Sequence, residues 1–301
     1  MRILCAVDGS EHSRWGVQAL EALAGREPEH VALLHIVDQP ALKVAKNKNP
    51  VAAKRAIAAM EKAGTIVLRD AARSARLALG QAATGPRTKF QTILTHGPAA
   101  HTIAKTARRL KTDLILIGSR GLSDIQGFLL GSVSRQVVSA AACSVLVVKQ
   151  PMPNLHRVAL AVDDSTPSRA AARFLRSSIL PETATVTILS TVESPVTDLA
   201  ARYLSESQLA ELAKPVMERA TAFVNGLRND FIKEGVPVVT QVQMGHVIDI
   251  IVKSVEADRD ELLVIGTRGL TKNDRLHLGS VSESLLRHAP CSVLTVRGAR
   301  A

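Results

Sequence analysis

Aromatic side chains make up only 2% of this 301-residue chain, one Trp, one Tyr and five Phe. Hydrophobic content is nonetheless 46%, so any core must be built from Val, Ile, Leu and Ala, which suits a parallel sheet covered by helices. Cysteine is scarce too. Cys5, Cys143 and Cys291 make an odd count with no C-x-x-C pair, and the residues read as inert packing thiols. The nine histidines show neither H-x-x-x-H spacing nor clustering with cysteine, so no protein-bound metal is expected. No uninterrupted apolar run reaches about 18 residues, and residues 2–7 enter a strand-like segment without the order of a secretion signal. These absences predict a cytoplasmic protein that does not associate with membranes. Also missing are G-x-x-x-x-G-K-[ST], G-x-G-x-x-G and G-x-S-x-G, which removes the common phosphate-loop, dinucleotide and nucleophile-elbow signatures.

Against these absences stands a repetition. Gly118-Ser119-Arg120-Gly121, nine residues, and Gly131-Ser132-Val133-Ser134 return 148 positions later as Gly266-Thr267-Arg268-Gly269, nine residues, and Gly279-Ser280-Val281-Ser282. Residues 97–149 align with 245–297 without a gap, with 20 identities, which gene duplication explains. The amino-terminal edges, Ala6-Val7-Asp8-Gly9-Ser10 and Ala161-Val162-Asp163-Asp164-Ser165, match at an offset of 155, so the second copy is seven residues shorter somewhere in its middle. In both copies a glycine pair follows an apolar run and a Gly-Ser opens a helix-like stretch. Bare main-chain N–H groups and a helix N-terminus around one point favour an anion, phosphate above all.

Each half predicts alternating strands and helices. In the first, strands are expected over residues 3–7, 31–37, 90–94, 113–117 and 144–148, with helices over 13–24, 41–79, 98–110 and 132–142; Pro50 and Gly64 are candidate breaks in the long one. The second half repeats this with strands over 158–162, 185–192, 237–242, 262–265 and 292–296, and helices over 167–177, 206–231, 247–257 and 280–288. The fold class is α/β: two tandem, doubly wound, open parallel five-stranded sheets. The expected domains are 1–149 and 156–301. They are joined by a linker over 150–155, which Pro151 and Pro153 keep out of regular structure. Ligands of such sheets sit at the carboxyl ends of strands where the winding reverses. Asp8, Ile36 and Gly118 should meet there in one half, and Asp163, Thr191 and Gly266 in the other.

Charge is unevenly divided. Residues 1–150 carry 21 basic against 10 acidic side chains, and residues 151–301 carry 17 of each, so the whole net charge of +11 belongs to the first half. Eleven basic residues lie between Lys43 and Lys89 with only Glu61 and Asp70 among them. Such a segment reads either as a solvated face or as a surface for an acidic partner. No aromatic residue interrupts it, so stacking on nucleic-acid bases is not expected.

A strand ending in Asp, followed late in each half by G-x-x-G-x9-G-S-x-S, resembles the universal stress protein family in its ATP-binding type, over nearly the whole chain. The resemblance implies a Rossmann-like, adenine nucleotide alpha hydrolase-like fold in two tandem domains, arranged as an intramolecular pseudo-dimer through the last strands; a homodimer is a further expectation. It implies adenine and ribose at the backbone around Val7 and the side chain of Asp8, with Ile36 against the purine. Ile117, Gly118, Arg120 and Gly121 would line the ribose and α/β-phosphates, and Gly131, Ser132, Val133 and Ser134 would hold the β/γ-phosphates, Ser132 and Ser134 adding hydroxyl donors. The matching residues of the second half are Val162, Asp163, Thr191, Ile265, Gly266, Arg268, Gly269, Gly279, Ser280, Val281 and Ser282. There, Thr191 departs from the usual aliphatic residue, and Asp164 stands where the first half has Gly9. Asp8 and Asp163 can also be read as plain helix N-caps.

The implied function is a regulatory protein of the stress response that binds ATP, with Mg²⁺ accompanying the nucleotide. Two alternatives are an interaction scaffold whose basic first half docks an acidic partner regardless of nucleotide, and a weak ATPase. For the last, Asp124 and Asp274 lie in the glycine loops at non-equivalent positions, so no catalytic residue is assigned.

Overall fold

The structure, a computed structural model, describes residues 1–23, 28–38, 49–80, 88–121, 130–181, 183–197, 199, 202–267 and 279–298. The chain divides into two compact units, one comprising Met1–Asn154 and one beginning at Leu155. The first runs β1 Arg2–Ala6, α1 Glu11–Ala22, β2 His30–Val37, α2 Pro50–Ala78, β3 Lys89–His96, α3 Ala99–Arg109, β4 Leu114–Gly118, α4 Ser132–Ala140 and β5 Ser144–Val148. The second runs β6 Arg157–Val162, α5 Thr166–Phe174, β7 Thr185–Val192, α6 Glu206–Lys233, β8 Val238–Met244, α7 Val247–Ala257, β9 Leu262–Thr267, α8 Ser280–His288 and β10 Ser292–Arg297.

All strand pairs within each unit are parallel. The order is β3-β2-β1-β4-β5 in the first unit and β8-β7-β6-β9-β10 in the second. In the first unit α1 packs with α2 and α3 with α4, one pair on each face, as double winding requires. Strands β4 and β5 read as nearly unbroken apolar runs because both faces are covered. Leu114, Ile115, Leu116, Leu146 and Val147 are at most 1% exposed, and so are Leu160, Leu263 and Leu294 in the second unit. Winding reverses between β1 and β4, and between β6 and β9, which fixes where a crevice can form.

The duplication is visible in the backbone itself. Left-handed residues recur in pairs: Gly9 (φ 87) with Asp164 (60), Gly80 (64) with Gly235 (79), Gly97 (130) with Gly245 (146), and Lys111 (52) with Arg259 (52). The offset is 155 up to Gly80 and Gly235 and 148 from Gly97 and Gly245 onward. The seven missing residues therefore lie between the long helix and the strand that follows it.

Several expectations are corrected. Pro50 does not break the long helix but opens it, with the Asn49 side chain accepting from the Ala52 N–H at 3.0 Å; the expected part over 41–48 lies outside the described residues. Gly64 does not break it either. It is buried inside an unbroken helix, where a Cβ would lie 2.5 Å from His35 Cδ2 and 2.8 Å from Leu94 Cδ1, so glycine is needed for the helix to approach β2 and β3. The helix expected over 167–177 is α-helical only through Phe174. It continues as a π-turn, Leu175–Ile179, in which Leu180 N–H reaches Leu175 C=O at 3.1 Å and both Leu175 and Ile179 are buried. In the expected linker Met152 is 2% exposed, so that segment is anchored by a buried side chain.

Cys5 is fully enclosed, and burial pushes its thiol up to about 12, consistent with an inert packing role. Cys291 is likewise buried, whereas Cys143 is only half-buried. Among the described residues no helix is long and apolar enough to cross a membrane.

Candidate functional site

At the switch point of the first unit, beyond the carboxyl ends of β1 and β4, lies a cavity of about 540 Å³, within the size range of small-molecule sites. Its walls include Val7 and Asp8 beyond β1, Ile36 in β2, Ile117 and Gly118 in β4, Arg120 and Gly121 beyond it, and Val133 and Ser134 in α4. Nine of the eleven residues expected in this half thus converge on one space. Gly131 and Ser132 are not wall residues; they form the start of α4 beside it.

Hydrogen bonding decides which of these groups can act on a ligand. Val7 N–H donates to Leu34 C=O at 2.9 Å, and Val7 C=O accepts from His35 Nδ1 at 2.8 Å, which fixes the proton on that nitrogen. Val7 N–H is therefore spent, while its C=O, already accepting one hydrogen bond, keeps a second lone pair. Ile36 differs. In a parallel ladder the N–H and C=O of one residue face the same neighbouring strand, and those of the next residue face the other. Leu34 C=O faces β1 and Val37 C=O accepts from Gly97 N–H, on the β3 side, so Ile36 turns both groups toward β1, past Ala6, the last β1 residue in that ladder. A donor and an acceptor side by side thus face the cavity.

At the other end α4 begins at Gly131, which supplies no side-chain cap, so the first-turn N–H groups keep their partial positive charge. Ser132 and Val133 are exposed there. Ser134 is not: it is 2% exposed, and its hydroxyl donates to Ser119 C=O (2.9 Å) or Gly131 C=O (3.0 Å). Its proton is used to close the glycine loop, so the expected phosphate donor is a loop fastener instead. Gly131 N–H also reaches Ser119 C=O, at 2.7 Å. Arg120 lines the cavity with a buried Nε that has no hydrogen-bond partner among the described residues, a cationic donor suited to an anion. Asp8 is not the N-cap of α1. That role belongs to Ser10, whose Oγ accepts from Ser13 N–H, while Asp8 Oδ1 accepts from Ser10 N–H at 2.9 Å.

The second unit is built differently at the corresponding places. Asp163 is exposed and turned back on its own turn, where it accepts from Ser165 N–H and from the Ser165 and Ser168 hydroxyls; Ser165, not Asp163, caps α5. Partial burial raises the Asp163 pKa, but these hydrogen bonds together outweigh it and hold it below the ordinary carboxylate value. Where Gly9 lets Val67 approach to 3.0 Å of an imagined Cβ, Asp164 pairs with Arg169 and with Arg219 at 3.2 Å, and Arg169 stacks over Phe223 at 4.5 Å. A charged clamp replaces a glycine beside an aliphatic wall. Thr191 has the backbone parity of Ile36, since Val192 C=O accepts from Gly245 N–H, but its Oγ1 is buried without a partner. Val162 and Ile265 are buried, Gly279 opens α8 without a side-chain cap, Ser280 and Val281 are exposed, and Ser282 Oγ lies 3.5 Å from Gly266 C=O. Arg268 and Gly269 lie outside the described residues, as do Asp124 and Asp274.

The universal stress protein family profile matches residues 1–149 and again 154–297. The chain belongs to the universal stress protein family. A universal stress protein of Bacillus subtilis, YxiE, is 28% identical over 153 residues, 49% of this chain and 98% of its own. The crystal structure of a universal stress protein from Archaeoglobus fulgidus superposes with a TM-score of 0.70 at 21% identity, covering 99% of this chain and 96% of that one. A family member from Arabidopsis thaliana with AMP bound covers 48% of this chain at 20% identity, with a TM-score of 0.34.

Sequence reading of this universal stress protein missed the roof of the first cavity. Met60, Ala63, Gly64 and Val67 of α2 line it together with Leu34, His35 and Ile103. The one available signal was Gly64, a glycine inside an Ala-rich helical stretch, which was read as a break. Asp38, also in the wall, accepts from Ala99 N–H at 3.3 Å and so supplies the cap that Pro98 cannot give α3.

Proposed function

We propose that the first repeat binds an adenine nucleotide, ATP, and that the protein is a nucleotide-dependent regulator of the stress response. One observation carries the reading: a single apolar cavity has Ile36 in one wall, with its main-chain N–H and C=O turned toward β1, while the uncapped start of α4 and Arg120 provide an anion site. Adjacent N–H and C=O groups complement adenine N1 and its exocyclic amine. The α4 N-terminus and Arg120 complement a phosphate chain, and Asp8 lies within reach of a ribose. Mg²⁺ would arrive with the nucleotide. Regulation follows if ATP binds one arrangement of α2 and the glycine loop better than another.

The second repeat is proposed as the weaker site. Its carboxylate Asp163 is engaged by serines, Asp164 is clamped by two arginines, and a polar Thr191 meets the base position. Pairing of the repeats through β5 and β10, a homodimer and cytoplasmic residence are carried as further proposals.

Mass spectrometry of small molecules released from freshly purified, denatured protein is expected to find adenine nucleotide. Val133→Glu puts a negative charge on the cavity wall where phosphates would lie and should weaken ATP binding by about a hundredfold, whereas Val281→Glu in the second repeat should leave most binding intact. Equal loss in both variants would contradict the ranking of the sites. Phosphate release no faster than in Val133→Glu would remove the ATPase alternative.

A further inference from the structure

We propose that the solvent face of α2 is a docking surface for an acidic amphipathic helix. The helix has two distinct sides. Ala53, Gly64, Leu68 and Ala75 are buried inward, and outward Arg55, Lys62 and Arg69 recur at intervals of seven; Arg76 continues the interval, but its guanidinium stacks over the Phe90 ring of β3 at 4.5 Å. Beside them runs a second exposed row at the same interval, Ala52, Ala59 and Ile66, whose next position is Arg73; Leu77 lies one turn beyond Arg73, and Ile66 is 43% and Leu77 67% exposed.

Seven residues of an α-helix fall about 20° short of two full turns, so rows with this period stay nearly straight along the axis. A basic row beside a thin apolar row is the arrangement by which one helix recognises another, the apolar seam packing and the flanking charges choosing the partner. Charge then sets the partner's sign. Of the acids of α2, Glu61 is engaged with His96 at 3.0 Å, while Asp70 pairs with Arg69 of the row itself at 3.4 Å. Arg55, Lys62 and Arg73 have no acidic partner among the described residues. The apolar row is one side chain wide and lacks the Trp, Phe and Leu band by which helices lie in a bilayer, so a protein helix fits better than a lipid surface.

The same fold supplies its own comparison. Helix α6 holds the corresponding place in the second unit, yet mixes Glu206, Glu211, Glu218 and Asp230 with Lys214, Arg219, Arg228 and Lys233. The basic row is therefore not something this architecture requires.

The test uses the full chain without ATP, so its outcome is independent of nucleotide binding. The probe is a synthetic helix of about four heptads with Leu along one seam and Glu flanking it, followed by fluorescence anisotropy. Expected are saturable binding that weakens with salt, and a loss of about tenfold or more in Arg55→Glu/Lys62→Glu/Arg69→Glu. A permuted peptide of equal composition should bind at least about tenfold more weakly, because the heptad register is lost. If the triple reversal does not fold by circular dichroism, Arg55→Gln/Lys62→Gln/Arg69→Gln reads the same effect. Equal binding of the permuted peptide, indifference to these substitutions, or binding to phosphatidylserine vesicles in place of the peptide would each overturn the proposal.

Discussion

Gly118→Ala is expected to cost the first unit about 3 kcal/mol and lower its melting transition by roughly 6–12 °C, although it adds one methyl group. A Cβ there would lie 2.6 Å from the carbonyl carbon of His12 and 2.8 Å from the Ser13 nitrogen, and both belong to the first turn of α1. Backbone cannot rotate aside as a flexible side chain can, so α1 must lift from β4 and carry the wall at Asp8 and Ile117 with it. Gly16→Ala is the control. It sits on the same helix, also buried, but its Cβ would meet nothing closer than 3.7 Å, so the change should be neutral or stabilise by up to about 1 kcal/mol through helix propensity. Differential scanning calorimetry of the pair checks the claim; similar melting of the two variants would contradict it. Gly266 repeats the constraint, with Pro167 backbone atoms 2.5 Å from its imagined Cβ.

Asp260→Asn is expected to act in the opposite direction. Asp260 lies in the turn between α7 and β9, 5% exposed, and neither carboxylate oxygen has a hydrogen-bond partner. Burial, then the charge of Asp258, push its pKa up to about 7 from 3.8; Glu261 adds to this and Arg157 opposes it. Because the folded value lies above the unfolded one, the unfolded chain gives up this proton first as pH rises. Stability then falls between about pH 4 and 7 and levels off above, where the charged form must be held in the fold. At pH 8 the Asn variant should be more stable by on the order of 3 kcal/mol, and near pH 4 almost unchanged. Urea unfolding at the two pH values measures the difference. A gain of equal size at both would show that ionisation is not its cause. The aligned residue of the first repeat is Thr112, also buried, so the fold does not require an acid there.

These effects show where sequence reading succeeds and stops. Repeat spacing, apolar runs and glycine pairs placed every strand to within a few residues and brought Asp8, Ile36, Gly118 and Val133 to one cavity, because strand ends at a winding reversal must converge. Spacing does not reveal which partner takes each hydrogen bond. Ser134 had the position of a phosphate donor, yet its hydroxyl closes the loop. Val7 had the position of a base contact, yet its N–H is spent on Leu34 and its C=O already accepts from His35. Asp164 was recognisable as a departure from Gly9, but its clamp with Arg219 joins residues 55 positions apart, which no local pattern encodes.

The most direct test of the nucleotide reading is isothermal titration of ATP with Mg²⁺ into the full chain. The account predicts saturable association near one ATP per chain, weakened about a hundredfold by Val133→Glu and mostly retained in Val281→Glu. Absence of heat at millimolar ATP, or binding that Val133→Glu leaves untouched, would contradict it.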